Sequence, residues 1–255
     1  MLNINLNGHV AVITGATGEL GRSMVRTLSS CGADVAVCYH RAEDRARELV
    51  SDAVDKGVRA IAVHTDVTVE ESILEMRDQV KATLGDADII VNNAVIQCYP
   101  WLSVLDQPIS DYESQYRSCV VHNVLMARAF VPGMMTKDWG RVIAINSECA
   151  MQANPGQSAY VSGKRGMDGV LRVLAREVGE HQVTVNQIAP GWMVSDKYRV
   201  DGVVSQEEYE RSVPLRRRGE DQDIANLVAF LASDLAGFIS GQFISVSGGN
   251  VMPCI

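Results

Sequence analysis

The sequence predicts one α/β domain, a doubly wound seven-stranded parallel sheet with helices on both faces. Short β-branched runs alternate with longer stretches of helical period, which is the pattern of repeated strand–helix–strand units. Several of the runs are apolar at every position, as strands covered on both faces must be. No Pro/Gly/Ser linker, low-complexity tract or repeat divides the 255 residues, so a single domain is expected over 1–255.

The strands are expected at 10–14, 34–39, 59–63, 88–91, 141–145, 183–188 and 242–246. Between the third and fourth, Ile73, Met76, Val80 and Leu84 recur at helical spacing and give one apolar face over 70–84. A longer helix opens at Ser158 and continues through Met167, Val170, Leu171, Leu174 and Val178. Another starts near Asp221, a suitable N-cap.

The balance of 31 Asp and Glu against 23 Lys and Arg gives a net charge of −8, which opposes approach to nucleic acid or an anionic membrane. No apolar run nears the ~20 residues of a membrane helix. The opening residues lack a basic stretch leading into an apolar one, so no secretory signal is expected. Six cysteines (Cys31, Cys38, Cys98, Cys119, Cys149, Cys254) and five histidines are scattered without metal-ligand spacing. No metal is expected, and single thiols point to a reducing, cytoplasmic setting.

Thr14-Gly15-Ala16-Thr17-Gly18-Glu19-Leu20-Gly21 follows the first strand and runs into a helix pattern. Glycines there allow a tight turn and close approach to a pyrophosphate, and the helix start offers free N–H groups to its charge. A plain turn would use the same residues. Glu19 is expected to turn its carboxylate to solvent and offer only its backbone. The second strand ends in His40 and Arg41, where a carboxylate would select NAD and a cation suits a 2′-phosphate. NADP(H) is therefore favoured over NAD(H). The alternative is a solvated helix start in which Arg41 and Arg45 pair with Glu43, Asp44 or Glu48.

Tyr160 and Lys164 stand at i and i+4, on one helix face. A phenol of pKa about 10 exchanges protons poorly at neutrality, and a nearby ammonium favours its ionised form. Such a pair is a candidate general acid. A packed tyrosine beside a solvated lysine is the structural alternative.

The order of motifs resembles that of the short-chain dehydrogenases/reductases, in the compact branch that includes 3-oxoacyl-carrier-protein reductases. The resemblance covers essentially the whole chain. It rests on Thr14 to Gly21, Asp66-Val67, Asn92-Asn93-Ala94, Asn123, Ser147, Tyr160 with Lys164, and Pro190-Gly191. Ser147 lies 24 positions after Asn123 and 13 before Tyr160, as in the family.

The resemblance implies a Rossmann fold and hydride transfer between a nicotinamide and a ketone or secondary alcohol. Tyr160 would be the general acid or base, Ser147 would hold the carbonyl oxygen, and Lys164 would bind the nicotinamide ribose. Asn123 would hold a water through its backbone. Asp66 and Val67 would border the adenine, with Asn92, Asn93 and Ala94 beside the adenosine ribose. Pro190, Gly191 and Met193 would lie along the nicotinamide. The resemblance also implies a homotetramer, with an interface near 111–135 and 158–180. An NAD-dependent alcohol or sugar dehydrogenase is the alternative enzyme, and a catalytically silent NADP(H)-sensing regulator the alternative of another class.

Three positions depart from the family pattern: Glu19 where glycine is usual, Val95 in place of the glycine of N-N-A-G, and Ser247 where aspartate is commoner. Substrate specificity is expected in loops 95–107, 148–157 and 192–213. Val95, Tyr99, Trp101, Glu148, Met151, Trp192 and Met193 are the candidates to line a partly apolar pocket. The basic run Arg216-Arg217-Arg218 is expected to be a solvated approach to the last helix, with an acidic partner as the alternative.

Overall fold

The strands separate two apolar cores by the simple alternation of their side chains. In a computed structural model that describes residues 4–194, 196–202 and 205–253, seven parallel strands form one sheet in the order β3-β2-β1-β4-β5-β6-β7. They are β1 (Val10–Ile13), β2 (Asp34–Tyr39), β3 (Ala60–His64), β4 (Ile89–Asn92), β5 (Gly140–Ile145), β6 (Val183–Pro190) and β7 (Phe243–Val246). Ala11, Ile13, Val35, Val37, Ile89 and Val91 point to one face. Val10, Val12, Ala36, Cys38 and Ile90 point to the other. Because both faces are covered, the strands read as continuous apolar runs.

The first face is covered by α1 (Glu19–Ser30), α2 (Glu43–Val54) and α10 (Asp221–Ala232), through Met24, Val25 and Leu28, Leu49, and Ile224 and Val228. The second is covered by α3 (Glu70–Thr83), α5 (His122–Thr136) and α7 (Ser158–Glu177), through Ile73, Met76 and Val80, Met126 and Phe130, and Met167 and Leu171. Thus Met167 and Leu171 are spent on the chain's own sheet. Burying a side chain of this size is worth roughly 1.5–3 kcal/mol, so the two faces together hold the sheet. Short helices α4 (Ile109–Gln115), α6 (Cys149–Gln152), α8 (Asp196–Val200) and α9 (Glu207–Ser212) lie in the connections after β4, β5 and β6. A two-residue parallel bridge pairs Met193 with Gly219 and Val194 with Glu220.

Three boundaries differ from expectation for identifiable reasons. β6 continues through Pro190, which reads as a strand breaker but occupies the final register position opposite Val246, where no further donor is needed. The N-cap of α10 is Glu220, not Asp221: Glu220 and Asp223 form a reciprocal capping box. Asp221 instead accepts from the Arg199 guanidinium at 2.8 Å. The helical run near 111–135 is interrupted by a π-helical turn, Tyr116–Val121, immediately before His122 and Asn123.

The five described cysteines are free thiols, and Cys254 lies outside the described residues. Among the described residues no helix is long and apolar enough to cross a membrane, and no cluster of three His, Cys, Asp or Glu side chains is placed to hold a metal.

Candidate active site

The sheet order reverses between β1 and β4, and the loops leaving their carboxyl ends diverge there. Gly15 opens the glycine loop with φ +60°, and a Cβ on it would stand 2.9 Å from Ala94 Cα. A Cβ on Gly21 would meet the backbone of Gly15 and Ala16. Both positions need glycine, because what they approach is backbone and cannot move aside. Thr14 is fully buried; its hydroxyl accepts from the N–H groups of Asn93 (3.0 Å) and Ala94 (3.2 Å). Asn93 replies with its amide, donating to the carbonyls of Thr14 (3.1 Å) and Gly15 (2.9 Å). Thr14 and Asn93 therefore brace the two loops against each other.

Helix α1 starts at Glu19 with Gly18 as N-cap and no side-chain cap, so no side chain takes up its first N–H groups. A dinucleotide pyrophosphate fits this cradle of glycines, backbone donors and positive helix end. The Glu19 carboxylate lies 3.0 Å from Arg22, which also reaches Asp196 of α8 at 3.0 Å. Leu20 packs on the first core. Val95, where the family has glycine, is half-buried against the second core, and the Ser247 hydroxyl accepts from Val251 N–H at 3.2 Å.

Beyond β2 both His40 and Arg41 are exposed. His40 Nε2 stands 3.8 Å from Asp66, whose Oδ1 accepts from Thr68 N–H (2.9 Å) and hydroxyl (2.7 Å). Burial works against ionisation of Asp66, but the Thr68 hydrogen bonds and the His40 and His64 imidazoles outweigh it and hold the carboxyl below its ordinary value. Val67 is half-buried in the same turn. Arg45, on the first turn of α2, reaches back to donate to the Thr17 carbonyl at 3.4 Å. The sequence showed Arg45 only as one charge among several; its approach to the glycine loop needs the β1–β2 register and the α2 start together.

Ser147, Tyr160 and Lys164 converge beyond β5. Asn146 accepts from Ser147 N–H at 2.8 Å and donates to Gln187 and to the Lys164 carbonyl, so the serine is held by a fully buried amide. Ser147 Oγ accepts from Cys149 N–H at 3.2 Å. Lys164 is 3% exposed, and its ammonium donates to the Ile145 carbonyl at 2.6 Å. It sits 5.8 Å from the Tyr160 ring centre.

Burial pushes the Tyr160 phenol up, and a hydrogen bond with Ser147 only partly opposes this. Burial also lowers the Lys164 ammonium. In this arrangement the ammonium is directed at a backbone carbonyl, and burial keeps the phenol protonated at neutral pH.

Asn123 is buried, donating to Cys119 O at 2.6 Å and accepting from Asn92 at 2.7 Å. The π-turn that precedes it is a type of irregularity often found at functional sites. Its neighbour His122 is 1% exposed, with Nδ1 3.2 Å from Ser118 O and Nε2 without a partner among the described residues. Burial drives its pKa down to about 4, with the nearby Lys164 also lowering it and the Ser118 bond opposing.

A neutral buried imidazole makes stability depend on pH. Its folded value lies below the unfolded ~6.5, so the stability it permits is full above about pH 6.5 and is lost as pH falls towards 4. The expected loss is about 3 kcal/mol. Denaturant melts at pH 7 and pH 4 should show wild type losing that much more than His122→Gln.

Pro190 ends β6, its carbonyl accepting from Glu148 N–H at 2.9 Å; Gly191 N–H donates to Val246 O at 3.0 Å. Around the crevice, Tyr99 (71% exposed) and Trp101 stack at 5.5 Å. Met151 is half-buried, and Trp192 is 40% exposed. Met193 is buried, and its carbonyl accepts from Arg218 at 2.6 Å. Glu148 is placed differently from an open substrate-facing residue: it is 3% exposed, and both carboxylate oxygens accept from other side chains.

The basic run is not wholly a solvated approach. Arg218 is 3% exposed and lies over the Trp192 and Tyr198 rings at 4.9 and 4.3 Å, while Arg217 pairs with Asp223. Planar guanidinium stacks on aromatic faces, which explains its burial.

A doubly wound sheet with a glycine cradle at its switch point, and a Ser–Tyr–Lys set beyond β5, defines a nicotinamide-dinucleotide oxidoreductase. The family model described as Enoyl-(Acyl carrier protein) reductase matches residues 15–250. A 3-oxoacyl-(acyl-carrier-protein) reductase FabG of Staphylococcus epidermidis is 36% identical over 242 residues, 95% of this chain and 98% of the relative. One of Haemophilus influenzae is 36% identical over 245 residues, 96% and 98% of the two chains. Among solved structures, a 7α-hydroxysteroid dehydrogenase complexed with NADH and 7-oxo glycochenodeoxycholic acid matches with TM-score 0.88 at 32% identity, covering 98% of this chain and 97% of its own. A blue fluorescent protein from a metagenomic library, in complex with NADPH, also matches at TM-score 0.88 and 32% identity, covering 97% and 100%. The chain belongs to the short-chain dehydrogenase/reductase family, and it is an oxidoreductase acting on CH–OH and C=O groups with NAD(P).

Proposed function

We propose that the protein interconverts a ketone and a secondary alcohol with NADP(H), using Tyr160 as the proton donor or acceptor. The observation that carries this reading is the convergence of Ser147, Tyr160 and a buried Lys164 beyond β5, in a sheet whose switch point carries the glycine loop. The nicotinamide, when bound, supplies or takes the hydride.

The chain's own residues do the rest. The Ser147 hydroxyl donates to the substrate carbonyl oxygen and stabilises the charge that develops there. Tyr160, protonated at neutral pH, delivers its proton to the same oxygen in the reducing direction. Lys164 turns its ammonium from the Ile145 carbonyl towards the cofactor ribose and the phenol, which eases loss of the tyrosine proton. Asn123 and the π-turn hold a water that returns a proton to the pair. Asp66 and Val67 line the adenine end, Asn93 and Ala94 the adenosine ribose. Pro190, Gly191 and Met193 flank the nicotinamide, and loops 95–107, 148–157 and 192–213 set specificity through Val95, Tyr99, Trp101 and Trp192.

Preference for NADP(H) is supported by the exposed Arg41 and by Arg45, which reaches the loop at Thr17. The double variant Arg41→Ala/Arg45→Ala should weaken NADPH binding about 10–100-fold, since charge-assisted contacts to a phosphate are worth roughly 1.5–3 kcal/mol, and leave NADH binding nearly unchanged. Cofactor fluorescence titrations check it. The homotetramer belongs to this reading, supported by exposed Ile109, Tyr116 and Val173 on α4, the π-turn and α7. A cytoplasmic location belongs to it as well.

A ketone panel monitored at the NADPH absorbance tests the activity. Consumption with at least one ketone class is expected. Tight NADPH binding with no consumption across the panel would instead mark a sensor.

A further inference from the structure

Glu148 is a buried carboxylate beside Ser147, and no step of the proposed reaction uses it. Among the described residues it has no cationic partner. Burial pushes its carboxyl up, opposed by hydrogen bonds from Asn250 and Tyr209. A position that needed only to be filled would carry an apolar side chain, because a buried charge is costly unless its hydrogen bonds are met. Here they are met, from distant parts of the chain. The Tyr209 hydroxyl, on α9, donates to Oε1 at 2.9 Å. Asn250 Nδ2, beyond β7, donates to Oε2 at 3.0 Å.

The same phenol accepts from Trp192 N–H at 2.8 Å. It occupies the space a side chain at Gly191 would take: a Cβ there would stand 2.6 Å from Tyr209 Oη and 3.2 Å from Glu148 Oε2. The Trp192 and Tyr209 rings meet edge to face at 5.5 Å. Three separate segments thus meet on one carboxylate adjoining the proposed reacting serine.

We propose that Glu148 is a positioning residue that latches Tyr209 of α9 and Asn250 onto the Gly191–Trp192 turn, holding the substrate wall closed over Ser147 and Tyr160. The idea rests on the proposed role of that serine and tyrosine. Ser147 and Glu148 are consecutive, so a wall tied to Glu148 keeps a fixed distance from the reacting oxygen. The substrate is held by the latched wall, whereas the glycine loop shares none of the latch's hydrogen bonds.

The test is a hydrogen-bond polarity swap. Asn250→Asp sets two carboxylates face to face and breaks the latch. Adding Glu148→Gln restores one donor and one acceptor across the gap. The single variant should raise the ketone KM about tenfold or more with a smaller change in kcat and NADPH affinity within about threefold of wild type. The double variant should return KM to within about threefold of wild type. Tyr209→Phe, a mild change that keeps the ring, should give the same KM-weighted loss. Amide exchange in α9, read by mass spectrometry, should speed up in Asn250→Asp and recover in the double variant.

A wild-type KM in Asn250→Asp, or no recovery in the double variant, overturns the latch. If wild type turns over no ketone, the proposed reaction fails, and exchange in α9 still decides the latch: unchanged exchange in Asn250→Asp and Tyr209→Phe overturns it.

Discussion

Tyr160→Phe is expected to lower the rate of carbonyl reduction by about 10²–10⁴-fold, or roughly 3–5 kcal/mol of barrier, while NADPH binds as in wild type. The variant keeps the ring and its packing and removes one oxygen. Burial keeps that phenol protonated at neutral pH, so the group lost is a proton donor already in its working form. Asn146 holds the Ser147 backbone and the Cys149 N–H donates to its hydroxyl, so the serine keeps these contacts when its hydrogen bond to the phenol is removed. Single-turnover kinetics with pre-bound NADPH separate this effect from binding. Turnover within tenfold of wild type would mean another group donates the proton.

Gly15→Ala is expected to act on binding and stability together. An alanine at φ +60° costs roughly 1–2 kcal/mol in backbone strain. Its methyl would also stand 2.9 Å from Ala94 Cα, on the loop that Thr14 and Asn93 brace. Either the loop after β4 retreats or the glycine loop lifts, and both loops line the cradle. NADPH affinity should fall tenfold or more, matching about 1.4 kcal/mol, with a melting temperature lower by about 2–8 °C. Calorimetric titration and thermal melts check the pair. Unchanged affinity would remove the glycine loop from the cofactor site.

Much of this was legible in the chain because it is local. Strands buried on both faces announce themselves as apolar runs, and Val10 to Ile13 leads into Thr14 and Gly15 without interruption. Tyr160 and Lys164 share a face by helical spacing alone. What stayed hidden depends on long-range placement. Glu148 meets Tyr209 and Asn250 across sequence separations of 61 and 102 residues, so no periodicity could pair them. Arg218 reads as one of three surface arginines until the Trp192 and Tyr198 rings close over it. The burial of Tyr160 was hidden for the same reason: spacing brings a lysine near, but it cannot show that the phenol is buried or that the ammonium donates to the Ile145 carbonyl. Pro190 shows the reverse case, where a local breaker signal is overridden by a register position that needs no donor.

The central claim is that this crevice transfers a hydride to a carbonyl carbon and a proton from Tyr160 to its oxygen. The most direct measurement follows deuterium from the transferable position of labelled NADPH into the product of a ketone that the panel shows to be reduced. Wild type should place deuterium on the carbinol carbon and none on exchange-inert positions elsewhere, and Tyr160→Phe should yield almost no labelled product while still binding the cofactor. Product formed without label on that carbon, or full labelling by Tyr160→Phe, would contradict the account.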